Sequence, residues 1–140
     1  MGTGGRADRH RTEPVLVVDA ANVVGSRPDG WWRDRAGAAR RLVDAIVAAV
    51  TGGALDPPVV VVLEGAARAG IAAGPVTTGV IVVHAPGAGD DAIVAATADA
   101  IAAAPSPGVV RVVTADRALR ARVVVLGAGC VGPGWLRDRT

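Results

Sequence analysis

Acidic residues stand where four predicted strands end. VLVVDAAN delivers Asp19, VVVVLEG delivers Glu64, VIVVHAPGAGDD delivers Asp90 and Asp91, and VRVVTADR delivers Asp116. With 13 acidic residues in 140, this placement does not read as random surface decoration. In an open parallel α/β sheet the strand carboxyl ends share one edge, and ligands bind in the crevice there. Carboxylates gathered at such an edge repel one another unless protonated or bridged by a cation. The set therefore reads as a divalent-metal site. Mg²⁺ or Mn²⁺ takes oxygen ligands and keeps several waters, which suits Asp and Asn. Neither His10 nor His84 matches a metal motif, and the single cysteine, Cys130, cannot build a thiolate zinc cage.

The elements that must position these acids follow from the apolar pattern. Residues 14–18 read as the first strand, and the loop AANVVGSRPDGWWRD follows it. From about Arg35 to Val50, Ala39, Leu42, Val43, Ile46, Val47 and Val50 recur at helical spacing. Residues 58–63 are the second strand and 79–84 the third, with the ambiguous, Gly-rich EGAARAGIAAGP between them. A helix opens at Asp90 or Asp91 and runs to about Ala103, and residues 109–114 are the fourth strand. ADRALRAR gives a short helix, VVVL a fifth strand, and GAGCVGPGWLRDRT a tail that docks through Trp135. Strands alternating with helices imply βα units, a parallel sheet and right-handed crossovers. The expectation is a three-layer, Rossmann-like α/β/α domain over residues 13–140. Its mostly parallel sheet has about five strands, behind a disordered lead over residues 1–12.

Composition narrows the classes further. Hydrophobic residues make up 51% of the chain, with no Phe or Tyr, so the core must come from small β-branched side chains. No apolar run of about 18 residues lacks Gly, Pro or charge, so no membrane span is expected. The N-terminus lacks the apolar stretch of a secretory signal. One cysteine and no secretory signal give a reducing cytoplasm as the expected compartment. All 15 basic residues are Arg, and the net charge of +2 permits an anionic partner without demanding one. The loop after the first strand lacks Gly-x-Gly-x-x-Gly, which argues against a dinucleotide enzyme.

Together these motifs resemble the PIN-like nuclease superfamily, in its NYN (YacP-like) branch. VVDAANVVG is similar to the branch's Asp-x-x-Asn first-strand signature, and DDAIVAATADA to its paired aspartates and following helix. VVTAD is similar to the Thr/Ser-x-Asp signature of the fourth strand, and GAGCVGPGWL to the closing segment. The likeness spans roughly residues 14–136. It implies a ribonuclease that holds Mg²⁺ or Mn²⁺ on Asp19, Asp91 and Asp116, with Asn22 and Asp90 beside them. Glu64 falls where YacP-like proteins place an acid. Arg120 stands where some NYN nucleases carry a further acid, which leaves the number of metals open. RNA, or a nucleotide, is the implied substrate, and a homodimer or an antitoxin-like partner stays open. Two rivals stand beside this reading: a metal-dependent hydrolase of nucleotide pyrophosphates or small phosphate esters, and a catalytically degenerate RNA- or protein-binding module.

Each residue also has a plainer role. Asp19 and Asp116 could cap turns, and one of Asp90 and Asp91 is expected to cap a helix. Asp34 is expected to cap the first long helix. Two adjacent tryptophans cannot both face inward, so Trp31 or Trp32 either stacks on a base or forms a hydrophobic staple or subunit contact. Arg33, Arg35, Arg40, Arg117 and Arg120 could grip phosphates or be solvated surface charges. His84 and Cys130 read as packed residues rather than catalysts.

Overall fold

The first strand, β1 (Val15–Asp19), is the centre from which the domain is built. The computed structural model describes residues 15–77, 79–104 and 107–140; the expected disordered lead over 1–12 lies outside them. β1 pairs in parallel with β2 (Val59–Leu63) on one side and with β5 (Val110–Val113) on the other. β2 pairs in parallel with β4 (Val80–His84), and β5 with β6 (Gly129–Val131). β3 (Gly74–Thr77) adds an antiparallel edge, giving a six-stranded sheet in the order β3-β4-β2-β1-β5-β6. The mostly parallel α/β class is as expected; the strand count is six rather than five.

Valine-rich runs suit a sheet covered on both faces, and the pleat sorts them by parity. Leu16, Val18, Val59, Val61, Val80 and Val82 face one core, where Ala39, Val43 and Ile46 of α2 (Arg35–Thr51) cover them. Val17, Val62, Val110 and Val112 face the other. There Ile93 of α3 (Gly89–Ala103) and Leu119 and Val123 of α4 (Arg117–Leu126) close the third layer. Among the described residues no helix is long and apolar enough to cross a membrane.

Two segments differ from expectation, and the ambiguous Gly-rich one takes a definite form. The loop after β1 begins with a short helix, α1 (Ala20–Gly25), capped by Asp19 itself. The Gly-rich segment after β2 forms a 3₁₀ turn (Gly65–Gly70) and then β3. Pro75 is tolerated in β3 because the strand lies on the sheet edge. VVVL is not a strand but the last turn of α4, with Val123 buried and Val124 and Val125 exposed. A parallel crossover needs about a dozen residues or more. Residues 114–122 are too few, so the helix consumes VVVL and the sixth strand falls on Gly129–Val131. Gly127, at φ 104°, ends that helix in the left-handed conformation glycine favours. The tail docks as α5 (Pro133–Arg137), and fully buried Leu136 is its plug while Trp135 is half-buried.

Ile46 is fully buried between α2 and the sheet. Ile46→Ala is expected to lower unfolding free energy by about 2–5 kcal/mol in urea titrations, through lost transfer energy and an unfilled cavity. A loss below ~1 kcal/mol would mean this face repacks freely.

Candidate metal and phosphodiester site

The strand order reverses direction between β1 and β5, and in α/β sheets that switch point opens the binding crevice. Asp19 closes β1 at this point and is only 6% exposed. Its Oδ1 accepts from the Asn22 N–H at 3.2 Å, and its Oδ2 accepts from the Thr114 hydroxyl at 2.9 Å across the crevice. Thr114, itself buried, accepts in turn from the Asp116 N–H at 3.1 Å. Asn22 spans the same gap, its Oδ1 accepting from the Ala115 N–H at 2.8 Å. Asn22 thus clasps the loop after β5 with its side chain while its own N–H holds the Asp19 carboxylate. Thr114 was not singled out by its chemistry in the sequence, although the Thr-x-Asp motif contains it.

Two further acids reach this edge from the second strand and the third layer. Glu64, one residue past β2, accepts from the Gly89 N–H through Oε2 at 2.7 Å. It thereby caps the first turn of α3 from a distant part of the chain. The N-cap position of α3 is Ala88, so neither Asp90 nor Asp91 is the cap, contrary to expectation. Both stand in the first turn, where the helix dipole favours negative charge. Gly89, Ile93 and Thr97 form the buried stripe of α3. Asp90 lies next to that stripe, half-buried, whereas Asp91 turns outward and pairs with Arg122 at 3.0 Å. Asp19, Glu64, Asp90 and Asp116 are thus close enough to feel one another's charge at this edge, whereas Asp91, expected beside Asp19 and Asp116, faces outward. Asp116 also caps α4, accepting from the Leu119 N–H at 3.0 Å.

Electrostatics records this gathering. Burial raises the Asp19 carboxyl above its ordinary value, Thr114 and Asn22 pull it back, and Asp90 and Glu64 push it further up. Burial also raises Asp90, with Asp116 and Glu64 adding to the rise and Arg122 opposing it. Among the described residues, however, no three His, Cys, Asp or Glu side chains converge closely enough to cage one ion. A dry three-ligand cage is thus not formed by Asp19, Asp91 and Asp116.

No protein-family model matches the chain, and no curated protein matches it. The structure is similar to a crystal structure of a Rae1 (YacP) mutant from Bacillus subtilis. The match has a TM-score of 0.65 at 17% identity, over 90% of this chain and 74% of that one. The two share a fold. The three-layer, mostly parallel α/β/α architecture expected from the motifs is thus the architecture found, and the likeness to Rae1 concerns the fold and not particular side chains.

The remaining candidates divide. Trp31 and Arg35 line a cavity that also includes Glu64, with the Arg35 guanidinium 5.3 Å from the Trp31 ring centre. Arg33 lies over exposed Trp32 at 5.8 Å. Arg120 donates from Nε to the Thr114 carbonyl at 2.8 Å, so it braces the end of β5. Arg117 is exposed at the first residue of α4. Asp34 caps α2 through the Gly37 N–H at 2.8 Å, as expected. His84 bonds the Ile71 carbonyl at 2.8 Å through Nε2, and burial raises the Cys130 thiol above its ordinary value.

Because Asp19 and Asp90 are both raised, the native chain holds their protons more tightly than the unfolded chain does. Their contribution to stability is full below the ordinary carboxylate value and is lost as pH rises through the raised native values. Asp19→Asn removes the Asp19 share, so its stability relative to wild type should improve as pH rises from acid to neutral. Urea midpoints across that range check this, and parallel curves for the two proteins would refute the burial argument. Gly89→Ala has a different target. A Cβ there would sit 2.6 Å from Glu64 Oε2, so the variant should displace Glu64 and lower the thermal midpoint.

Proposed function

We propose that the protein is a metal-dependent ribonuclease that hydrolyses RNA phosphodiester bonds at the β1/β5 crevice. The observation that carries this reading is the buried Asp19 at the switch point, joined there by Asp90, Glu64 and Asp116 with raised proton affinity at Asp19 and Asp90. The PIN-like fold and the family-like motifs support it. Asp19, Asp90 and Asp116 are the side chains that would hold Mg²⁺ or Mn²⁺, in part through water. Such a cation supplies a lowered pKa for bound water and charge relief at the phosphate.

The chain's own groups have distinct tasks. Asp19 is fixed by Thr114 and Asn22, so its carboxylate needs no reorganisation when substrate arrives. Asp90 carries no capping duty, so its carboxylate is free to hold the cation or a water bound to it. Glu64 keeps one oxygen on Gly89 and so holds the start of α3 against the sheet. Arg117, at the rim of this edge, is the arginine placed to position a backbone phosphate.

A second reading has its own observation. Asp19, Glu64 and Asp116 each already accept a structural hydrogen bond, and among the described residues no three acids converge on one ion. That state also fits a nuclease fold that binds RNA without cutting it.

Manganese decides between the two. If the ribonuclease reading holds, Mn²⁺ raises the thermal midpoint of the wild type by mass action and hardly that of Asp19→Asn. Cleavage of single-stranded RNA in Mn²⁺ should fall by roughly 100-fold or more in Asp19→Asn and Asp90→Asn, and much less in Asp91→Asn. Equal shifts in wild type and Asp19→Asn, together with no cleavage, would establish the binding reading instead.

A further inference from the structure

Beside the acidic crevice lies a cavity of about 420 Å³ that shares Glu64 with it and whose other lining residues the phosphodiester chemistry does not use. Its walls are small and apolar (Ala20, Ala39 and Ala67), and three side chains give it character: Trp31, Arg35 and Glu64. The volume is within the range of small-molecule sites, which run from about 300 to 1,000 Å³.

The walls are held in place by local chemistry. Trp31 opens a 3₁₀ turn after Gly30, which takes φ 80°. Asp34 then caps α2, so Trp31 and Arg35 are presented from a fixed helix start. On the opposite wall the Gly65–Gly70 turn presses on α2. A Cβ at Gly70 would run into the Ala36 carbonyl oxygen, so no larger residue permits that approach. Arg68 ties the same turn to the Ala85 carbonyl at 3.2 Å.

Resting on the ribonuclease reading above, we propose that this cavity receives one unpaired nucleobase of a single-stranded RNA substrate. A nucleobase is the substrate part that matches the chemistry. Its flat face finds the Trp31 ring and the Arg35 guanidinium, both of which stack on bases. Its N–H edge finds the Glu64 carboxylate, whose Oε2 is engaged with Gly89 while Oε1 carries no bond among the described residues. A phosphate in the same space would be repelled by Glu64, and a ribose offers no π-face. Pairing in a duplex would consume the N–H edge that Glu64 accepts from, so the site selects unpaired RNA. The place is also right. Ala20 and Ala21 follow Asp19 directly, and Glu64 borders both crevice and cavity. A strand cut at the acidic edge would therefore seat a flanking base here.

The test measures anisotropy of a labelled single-stranded RNA, and of the same RNA with one abasic position, together with cleavage in Mn²⁺. The base-bearing RNA should bind wild type about 10-fold more tightly than the abasic RNA, and Trp31→Ala should erase that difference while Trp31→Phe keeps most of it. Arg35→Gln should weaken the base-bearing RNA more than the abasic one. If the wild type cleaves RNA but does not distinguish the two oligonucleotides, the base site is overturned and the ribonuclease reading stands. If the wild type distinguishes them but cleaves neither, the base site stands and the ribonuclease reading falls.

Discussion

A buried carboxylate at the end of the central strand is the constraint around which this domain is organised. Asp19 is almost wholly removed from water, and an ionised group there is costly unless hydrogen-bonded. The Thr114 hydroxyl and the Asn22 N–H meet that need from opposite sides of the β1/β5 crevice. Thr114 passes the connection on to the Asp116 backbone, and Asn22 binds the Ala115 backbone. The loop after β5 is thereby locked to the start of α1. Placing Asp19 thus fixes the geometry of the crevice as well as its charge.

The other acids are tolerated for separate reasons. Asp116 caps α4 and Glu64 caps α3, so each carries a structural duty. Asp91 is neutralised by Arg122 on the outer side of α3. Asp90 alone faces the crevice without such a duty, and burial with its acidic neighbours raises its proton affinity. An edge built this way sets carboxylates against one another. Protonation, a hydrated cation, or a cation with substrate phosphate can relieve that repulsion.

The arginines are distributed just as unevenly. Arg120 braces the Thr114 carbonyl, so this arginine serves the end of β5. Arg35 and Trp31 stand together on the cavity wall, whereas Arg33 and Trp32 pair on the exposed side of the same turn. Adjacent residues therefore have opposite environments, as the tight 3₁₀ turn requires.

Much was legible in the amino-acid sequence because its signals are local. Apolar runs such as VLVV, VVVVL and VIVV, separated by helical spacing, specify buried parallel strands, and the acids at their ends specify which edge carries charge. VVVL reads as a strand yet is helical, because an unbroken apolar run has no period to separate the two and only the crossover length resolves it. The phase of α3 was hidden for the same reason: DAIVAATADAIAAA is apolar nearly all round, so its sequence does not say whether Asp90 or Asp91 turns inward. Packing of Ile93 and Thr97 on the sheet decides it. The cap that Glu64 gives Gly89 and the bond between Thr114 and Asp19 join residues far apart in the chain, and no local pattern encodes such pairs. The sequence by itself determined the elements and the kinds of group at their ends. Tertiary structure decided which groups meet, because strand register and helix rotation exist only once the layers have packed.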